Sequence, residues 1–245
     1  NSYVTCWEKH FNNQRDFIPY SREAGYTGIV MTSWSTSGLY GFTWDVNYEV
    51  TDMEQVRNTW PLSGFRILLA SYAEALNTPE PLDPHGFVLR YAAERFGLSE
   101  SDGELFWETL TIPPELIVSG KPASSPSITA MRETVEAAVE KMKRLKPVTN
   151  RDEFEHFRLM LDIRLHYLKF KEAEARFNAP DFSADDRAGV VADLETLIVE
   201  TKDLDRRFAK LNRGYLHETE IEQQNMIRNR KLMLLHRRLT GNRTL

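Results

Sequence analysis

The sequence predicts a mainly helical protein with a short α/β part at its N-terminus. An apolar run, Gly28–Trp34, lies between helix-like segments as a buried parallel strand would. Apolar residues recur at helical spacing through most of the second half, and a proline-rich stretch at 77–84 divides the two parts. The expected fold is therefore the last βαβ portion of a (β/α)₈ barrel over residues 1–77, followed by an antiparallel helical bundle over residues 78–245.

The N-terminal segment is predicted to run strand, helix, strand. Residues 2–7 are rich in β-branched and aromatic side chains, which favours a short strand, and residues 8–13 form a polar loop. Asp16 then caps a short helix that has a proline in its first turn and ends at Gly25. Gly28–Trp34 is the second strand. This order at crossover spacing favours a parallel βαβ unit.

An aromatic loop and one more helix complete the predicted barrel portion. The loop covers residues 35–50 and is followed by Thr59-Trp60-Pro61, where a proline in the first turn starts a helix. Apolar residues continue at helical spacing to Leu76. Three prolines in residues 77–84 then end the helix, and this stretch is the expected domain boundary.

The remaining chain is predicted to be helical apart from a Pro- and Ser-rich loop at 111–127. Apolar periodicity predicts two short helices, one closed by Gly97, and four longer segments; the ranges are 86–96, 101–110, 128 to before Pro147, 151–177, 190–211 and 217–239. The 151–177 helix carries two apolar stripes, which implies neighbours on two sides. Short connections between the last three helices predict an up-down-up antiparallel bundle.

Composition narrows the class of protein. The chain has 245 residues, of which 41% are hydrophobic and 27% charged, as in ordinary soluble globular proteins. A net charge of −5 gives no reason to expect nucleic acid as a partner, and no apolar run is long enough to predict a membrane span. The single Cys6 excludes an internal disulfide and a multi-cysteine zinc site. The start at Asn1 suggests a piece of a longer protein, and the compartment stays open between cytoplasm and periplasm.

Aromatic residues at the predicted strand ends are candidates for binding a sugar. The indole of Trp34 would stack on the apolar face of a sugar ring, with polar groups at the ring edges. Tyr40, Trp44 and Asp45 follow in the loop, where binding groups concentrate, and Trp7 ends the first strand. The alternative for each aromatic residue is packing in the barrel core, and the residues alone leave both open.

Two further patterns have simpler structural explanations. Glu153-x-x-His156 has the spacing used in di-iron bundles, but no second Glu-x-x-His exists, so we expect a surface pair and no metal. Asp102-Gly103-Glu104 lies at a predicted helix start, where acids stabilise the N-terminus.

The last segment is basic from Arg228 onward. Without a nucleic-acid-binding motif, we expect a helix docked on acidic neighbours by its charges.

Short motifs in the chain resemble the closing part of glycoside hydrolases of family 20, in the hexosaminidase D-like branch. The matching motifs are Gly28-Ile29-Val30-Met31-Thr32-Ser33-Trp34, Trp60-Pro61-Leu62-Ser63-Gly64-Phe65 running into Leu68-Leu69-Ala70-Ser71-Tyr72, and Leu211-Asn212-Arg213-Gly214-Tyr215-Leu216. Together they span about a fifth of the chain, counting the segments between the first matches.

The resemblance implies an exo-hydrolase that removes terminal N-acetylhexosamine from a carbohydrate partner. In that family the substrate's acetamido group is the nucleophile, while an Asp orients it and a Glu protonates the leaving group. That pair lies on an earlier barrel strand, so we expect no catalytic residue, cofactor or metal here and no activity of the chain alone. Trp34 matches the pocket tryptophan of the family. Thr36 departs from the charged residue that many members have there, and Asp45 is the substitute nearest in sequence.

The alternative function is a helical-bundle module that binds a protein partner and has no catalytic role. An exposed apolar stripe on the 151–177 helix or on the helix after Arg187 would favour it. An incomplete barrel would also leave strand edges unpaired, which predicts a homodimer through those edges.

Overall fold

The structure of the protein is a computed structural model that describes residues 7–31, 66–113, 117–118, 121–122 and 127–241. Eight helices and one short antiparallel strand pair account for most of these residues. The helices are α1 Trp7–Glu23, α2 Arg66–Asn77, α3 Pro84–Phe96, α4 Glu100–Leu110, α5 Ile128–Arg144, α6 Arg151–Phe177, α7 Ala184–Asn212 and α8 Glu218–Thr240. The strands are β1 Ile117–Val118 and β2 Lys121–Pro122, with Ile117 opposite Pro122 and Val118 opposite Lys121.

The predicted βαβ portion of a barrel is wrong. The described residues contain no parallel sheet, and their one strand pair lies between α4 and α5, far from the predicted barrel strands. Trp7 is the first residue of a helix and residues 8–13 are helical rather than a loop, while residues 2–6 of the first predicted strand lie outside the described residues. Gly28–Met31 adopts no regular secondary structure, and the rest of that predicted strand lies outside the described residues.

The physical reason for the first error is the spacing of buried residues in α1. Trp7, Phe11, Gln14, Ile18 and Ser21 are buried, at separations of three and four residues. This is the repeat of one face of a helix, whereas a half-buried strand would alternate every second residue. The aromatic and β-branched residues up to Trp7 favour a strand locally, but from Trp7 onward the longer repeat determines the structure.

An aromatic cluster forms the centre of the helical body. Phe96, Phe106, Phe154 and Phe157 are almost completely buried, and their ring centroids lie 5.1–6.4 Å apart. Most neighbouring rings meet edge to face or tilted, which is the arrangement that aromatic quadrupoles favour. The cluster joins α3 and α4 to the first turns of α6.

The last four helices pack as consecutive antiparallel neighbours. Lys169 on α6 donates a hydrogen bond to Glu200 on α7, and Arg207 on α7 donates one to Asp162 on α6. Later residues of α6 therefore pair with earlier residues of α7. Arg187 at the start of α7 donates to the carbonyl of Leu239 at the end of α8. The predicted antiparallel bundle is therefore present, and α6 is buried on both of its predicted stripes.

Helix ends follow their sequence signals closely. Gly97 ends α3 with φ of +69°, the left-handed conformation in which glycine is least strained. Ser99, Ser127 and Ser183 each accept a hydrogen bond from the third residue of the following helix, and Asp186 completes a capping box with Ser183. The boundaries predicted for α3 to α8 differ from these by a few residues, most at the start of α7.

α1 packs against residues on the far side of the predicted domain boundary. Trp7 lies 5.7 Å from Phe157, and Phe11 lies 5.9 Å from Phe87, measured between ring centroids. These contacts place α1 on the core that α3 and α6 share. The division into residues 1–77 and 78–245 stays a prediction.

Candidate functional site

The predicted sugar-binding residues lie mostly outside the described part of the chain. Trp34, Tyr40, Trp44 and Asp45 all fall between residues 32 and 65, which the structure does not describe. Trp7 is described, and its indole is 2% exposed between Phe11 and Phe157. In this position the ring is part of the helical core and offers no open face to a sugar.

An apolar hollow of about 600 Å³ lies between α1, residues 29–31 and α2. Phe17, Tyr20 and Val30 line it and are 58%, 65% and 86% exposed. Large apolar side chains exposed side by side mark surfaces that another molecule or chain segment covers. This hollow lies where the motif resembling family 20 begins.

Hydrogen bonds between α1 and α2 fix the shape of the hollow. Ser71 donates from Oγ to Gln14 Oε1 at 2.5 Å, and Gln14 donates from Nε2 to the carbonyl of Leu68 at 3.1 Å. Tyr72 donates from Oη to the carbonyl of Ile29 at 2.8 Å, which holds residues 29–31 against α2. These bonds pair the buried polar groups at the contact between the two helices.

A second, polar cleft of about 700 Å³ lies where α3 ends, α6 begins and α7 ends. Its charged lining contains more cations than acids. The cations are Arg66, Arg95, Arg151, Lys210 and Arg213, and the acids are Asp152 and Glu153. Volumes of this size are typical of sites for small ligands.

Glu153 is the buried anchor of this cleft. Its side chain is 7% exposed, and its Oε2 accepts from Arg95 Nη2 at 2.7 Å and from Arg95 Nε at 3.0 Å. Arg66 Nε lies 3.2 Å from the same oxygen, and Tyr91 Oη donates to Oε1 at 2.5 Å. Burial and the neighbouring carboxylate raise the pKa of Tyr91, and the hydrogen bond to Glu153 raises the pKa of Arg95. Tyr91 is therefore a neutral donor and Arg95 a permanent cation.

His156 lies one turn further along α6 and also lines the cleft. The residue is 3% exposed, and its Nδ1 has no hydrogen-bond partner among the described residues. Burial lowers the pKa of His156 to about 4, against the opposing effect of Glu153 and Asp152. The imidazole is therefore neutral at pH 7.

The first turn of α6 also faces this region without a side-chain cap. Asn150 precedes the helix with φ of +47°, and its side chain donates to the carbonyl of Arg95 instead of accepting from the helix. The first backbone N–H groups of a helix point outward and carry partial positive charge. The first turn of α6 thus adds positive potential to that of the cations.

The prediction of a surface pair at Glu153 and His156 is wrong, since both side chains are buried. The sequence signal that could have found them is their position on a helix with two apolar stripes, where residues between the stripes are also covered. Within the described ranges, no group of three or more His, Cys, Asp and Glu side chains could hold a metal ion.

The other polar patterns have structural roles. Asp102 is in the first turn of α4, where its backbone N–H donates to Ser99. The basic segment is docked by charge as predicted: Arg228 and Asn229 bond to Asp205, and Lys231 Nζ lies 2.9 Å from Glu174 Oε1. In the portion of the chain that is described, no helix is apolar over a length that would cross a membrane.

Comparisons with protein-family models, with curated proteins and with solved structures identify no match to this chain.

Proposed function

We propose that this chain serves a β-N-acetylhexosaminidase-like glycoside hydrolase as the C-terminal part of a longer protein. The observation that carries the proposal is the exposed apolar hollow beside α1 and residues 29–31. Its position matters because the motif Gly28–Trp34, which resembles family 20, starts at its edge. Further chain of the whole protein would cover this surface.

The roles of individual residues in the proposed enzyme follow from what the resemblance implies. Trp34 would stack on the terminal N-acetylhexosamine, and Tyr40, Trp44 and Asp45 would contact its edges. The Asp and Glu of substrate-assisted hydrolysis would come from sequence outside this chain. The described helices would support the segment that carries Trp34, through the bonds that join α1 to α2.

The test is hydrolysis of an aryl N-acetyl-β-glucosaminide by the full-length gene product. We expect release of the aryl group, with kcat/KM lowered about 10- to 100-fold by Trp34→Ala because a stacking contact is lost. Tyr26→Ala is the control, since Tyr26 is an exposed aromatic residue that does not line the hollow. Absence of hydrolysis, or equal effects of the two variants, would contradict the proposal.

A second candidate function, a helical module that binds a protein partner, is favoured by the same hollow. An apolar stripe exposed on the bundle would favour this function. The apolar stripes of α6 are buried, however, and the large exposed hydrophobic residue on α7 is Val199. The surface available to a partner, or to a second copy of the chain, is thus the hollow at Phe17 and Tyr20. The predicted strand edges that would drive dimerisation are not seen among the described residues.

Light scattering after size-exclusion chromatography distinguishes this candidate. A partner-binding or self-associating surface predicts an apparent mass that rises with concentration, is insensitive to N-acetylglucosamine and is reduced by Phe17→Glu. Val199→Glu, at a similarly exposed position on α7, is the matched control. A monomer at all concentrations, with no partner bound by the full-length product, would exclude it.

A further inference from the structure

We propose that the polar cleft at the start of α6 binds the phosphate group of a small phosphate monoester. The proposal concerns a site separate from the predicted sugar contacts, and none of its lining residues belongs to that set. Three independent features support it: the balance of charge, the uncapped start of α6, and a buried polar atom that has no partner.

The charge balance of the cleft leaves unneutralised cations. Glu153 is already satisfied by Arg95 and Arg66, and Arg213 pairs with Glu218 at 2.9 Å. Lys210 and Arg151 have no ion-pair partner among the described residues and are exposed at the opening of the cleft, and Asp152, the other lining acid, offsets only part of the excess. A phosphate monoester carries a charge of about −1.5 to −2 at pH 7, which matches this excess of positive charge.

The start of α6 supplies directional donors as well as charge. Backbone N–H groups at a helix N-terminus bind phosphate readily, and here the residue before the helix, Asn150, turns its side chain away to Arg95. The three first residues of α6, Arg151 to Glu153, all line the cleft. An anion placed there would meet these groups and the guanidinium groups together.

The third feature is His156, which is 3% exposed and lines the cleft with an unsatisfied Nδ1. A buried nitrogen without a partner costs free energy, and this cost is removed when a ligand supplies the missing group. A phosphate oxygen accepts from an imidazole N–H, and a phosphate hydroxyl donates to an imidazole nitrogen. Because Nδ1 itself has almost no exposed surface, a turn of the imidazole toward the cleft would let either arrangement satisfy His156.

The opening of the cleft favours an organic phosphate over the free ion. Tyr215 lines it, as do Arg213 and Lys210, and is 68% exposed, so much of its ring surface is open to a ligand. A sugar ring can lie on such a face while its phosphate reaches the cations. The volume of about 700 Å³ accommodates a ligand of this size.

The proposal is tested by titrating the 245-residue chain with glucose 6-phosphate, inorganic phosphate and glucose, with calorimetry as the readout. We expect saturable binding of both phosphates, tighter for the ester, weaker as NaCl is raised, and none for glucose. Lys210→Ala and Arg151→Ala should each weaken binding about tenfold or more because a charge-assisted contact is lost. Lys202→Ala is the matched control, since Lys202 is exposed on the same helix outside the cleft.

An independent readout locates the ligand. The imidazole NMR signals of His156 should move on addition of glucose 6-phosphate, whereas those of the more exposed His85, which pairs with Glu104, should not. The proposal is overturned if no phosphate binds saturably, if glucose binds as well as its phosphate, or if Lys210→Ala and Lys202→Ala bind equally. Tighter binding of inorganic phosphate than of the ester would overturn the assignment to a monoester.

Discussion

Removal of the Glu153 carboxylate is expected to be among the most damaging single changes at the cleft. Glu153→Ala leaves the Tyr91 hydroxyl without its acceptor and leaves the Arg95 and Arg66 guanidinium groups without the carboxylate that binds them. Glu153 is buried, but Arg66 is exposed and Arg95 partly exposed, so the loss of these charge-assisted hydrogen bonds should cost about 2–4 kcal/mol of unfolding free energy. Glu153→Gln keeps the volume and an oxygen for Tyr91 but loses the charge, so we expect a smaller loss of about 1–3 kcal/mol.

Urea unfolding followed by circular dichroism measures these losses. The control is Glu108→Gln, because Glu108 pairs with Lys141 at 2.7 Å while both side chains are about half exposed, and such pairs contribute about 0–1 kcal/mol. Combining Glu153→Ala with Tyr91→Phe should give less than the sum of the single losses, since the two groups share one hydrogen bond. If Glu153→Ala costs no more than Glu108→Gln, the buried anchor does not exist as described.

Three other changes test separate parts of the structure by the same unfolding measurement. Burial lowers the pKa of His156 to about 4 in the folded protein, against an ordinary value of 6.5, so the unfolded chain takes up the proton at a higher pH. The free energy of unfolding should therefore fall by up to about 3 kcal/mol as the pH drops from about 6.5 to about 4. His156→Gln should flatten this pH dependence, and an unchanged slope would contradict the burial of His156. Phe106→Ala empties the centre of the aromatic cluster and should cost about 3–5 kcal/mol, whereas a loss below about 1 kcal/mol would contradict the packing. Gly97→Ala should lower the free energy of unfolding more than Gly25→Ala. Both glycines have positive φ, so both substitutions strain the backbone. At Gly97 the added Cβ would also lie 3.1 Å from Val148 Cβ, whereas at Gly25 it would meet nothing within 4 Å. Equal losses would argue against that close approach.

The helices from α3 onward could be predicted because their local and long-range signals agree. At Gly97 the end of the apolar repeat coincides with the residue best suited to a left-handed turn. The start of α7 was predicted six residues too late, at 190, because the apolar repeat begins there, although the capping box of Ser183 and Asp186 marks the true start at Ala184. The 151–177 helix matches its prediction at both ends because Asn150 and Asn178 flank an uninterrupted double repeat. The docking of the basic last helix on acidic neighbours could be predicted from charge alone, and Arg228 donates a hydrogen bond to Asp205 as expected.

The N-terminal part could not be predicted correctly because its local and longer signals conflict. Trp7 follows a β-branched, aromatic stretch and Pro19 breaks the pattern expected for a long helix, yet α1 contains both residues. A proline inside a helix removes one backbone hydrogen bond. Burial of Trp7, Phe11 and Ile18 on one face offsets that loss. Packing against distant residues such as Phe157 is not visible in any local window of the sequence.

The polar cleft could not be predicted because its residues come from four separated parts of the chain. Arg66, Arg95, Glu153 and Lys210 become neighbours only when α2, α3, α6 and α7 are assembled. The Glu-x-x-His spacing drew attention to Glu153 and His156, but spacing alone does not tell an exposed pair from a buried one. Burial depends on which side of α6 its neighbours cover.

The central claim is that the N-terminal segment is a helix packed on the aromatic core. A nuclear Overhauser measurement between the Trp7 indole and the Phe157 ring tests this claim most directly. With ring centroids 5.7 Å apart, their nearest protons should give a clear cross-peak, accompanied by helical N–H contacts along residues 8–13. A Trp7 indole without contacts to Phe157 or Phe11, together with strand-type backbone contacts at its position, would contradict the account.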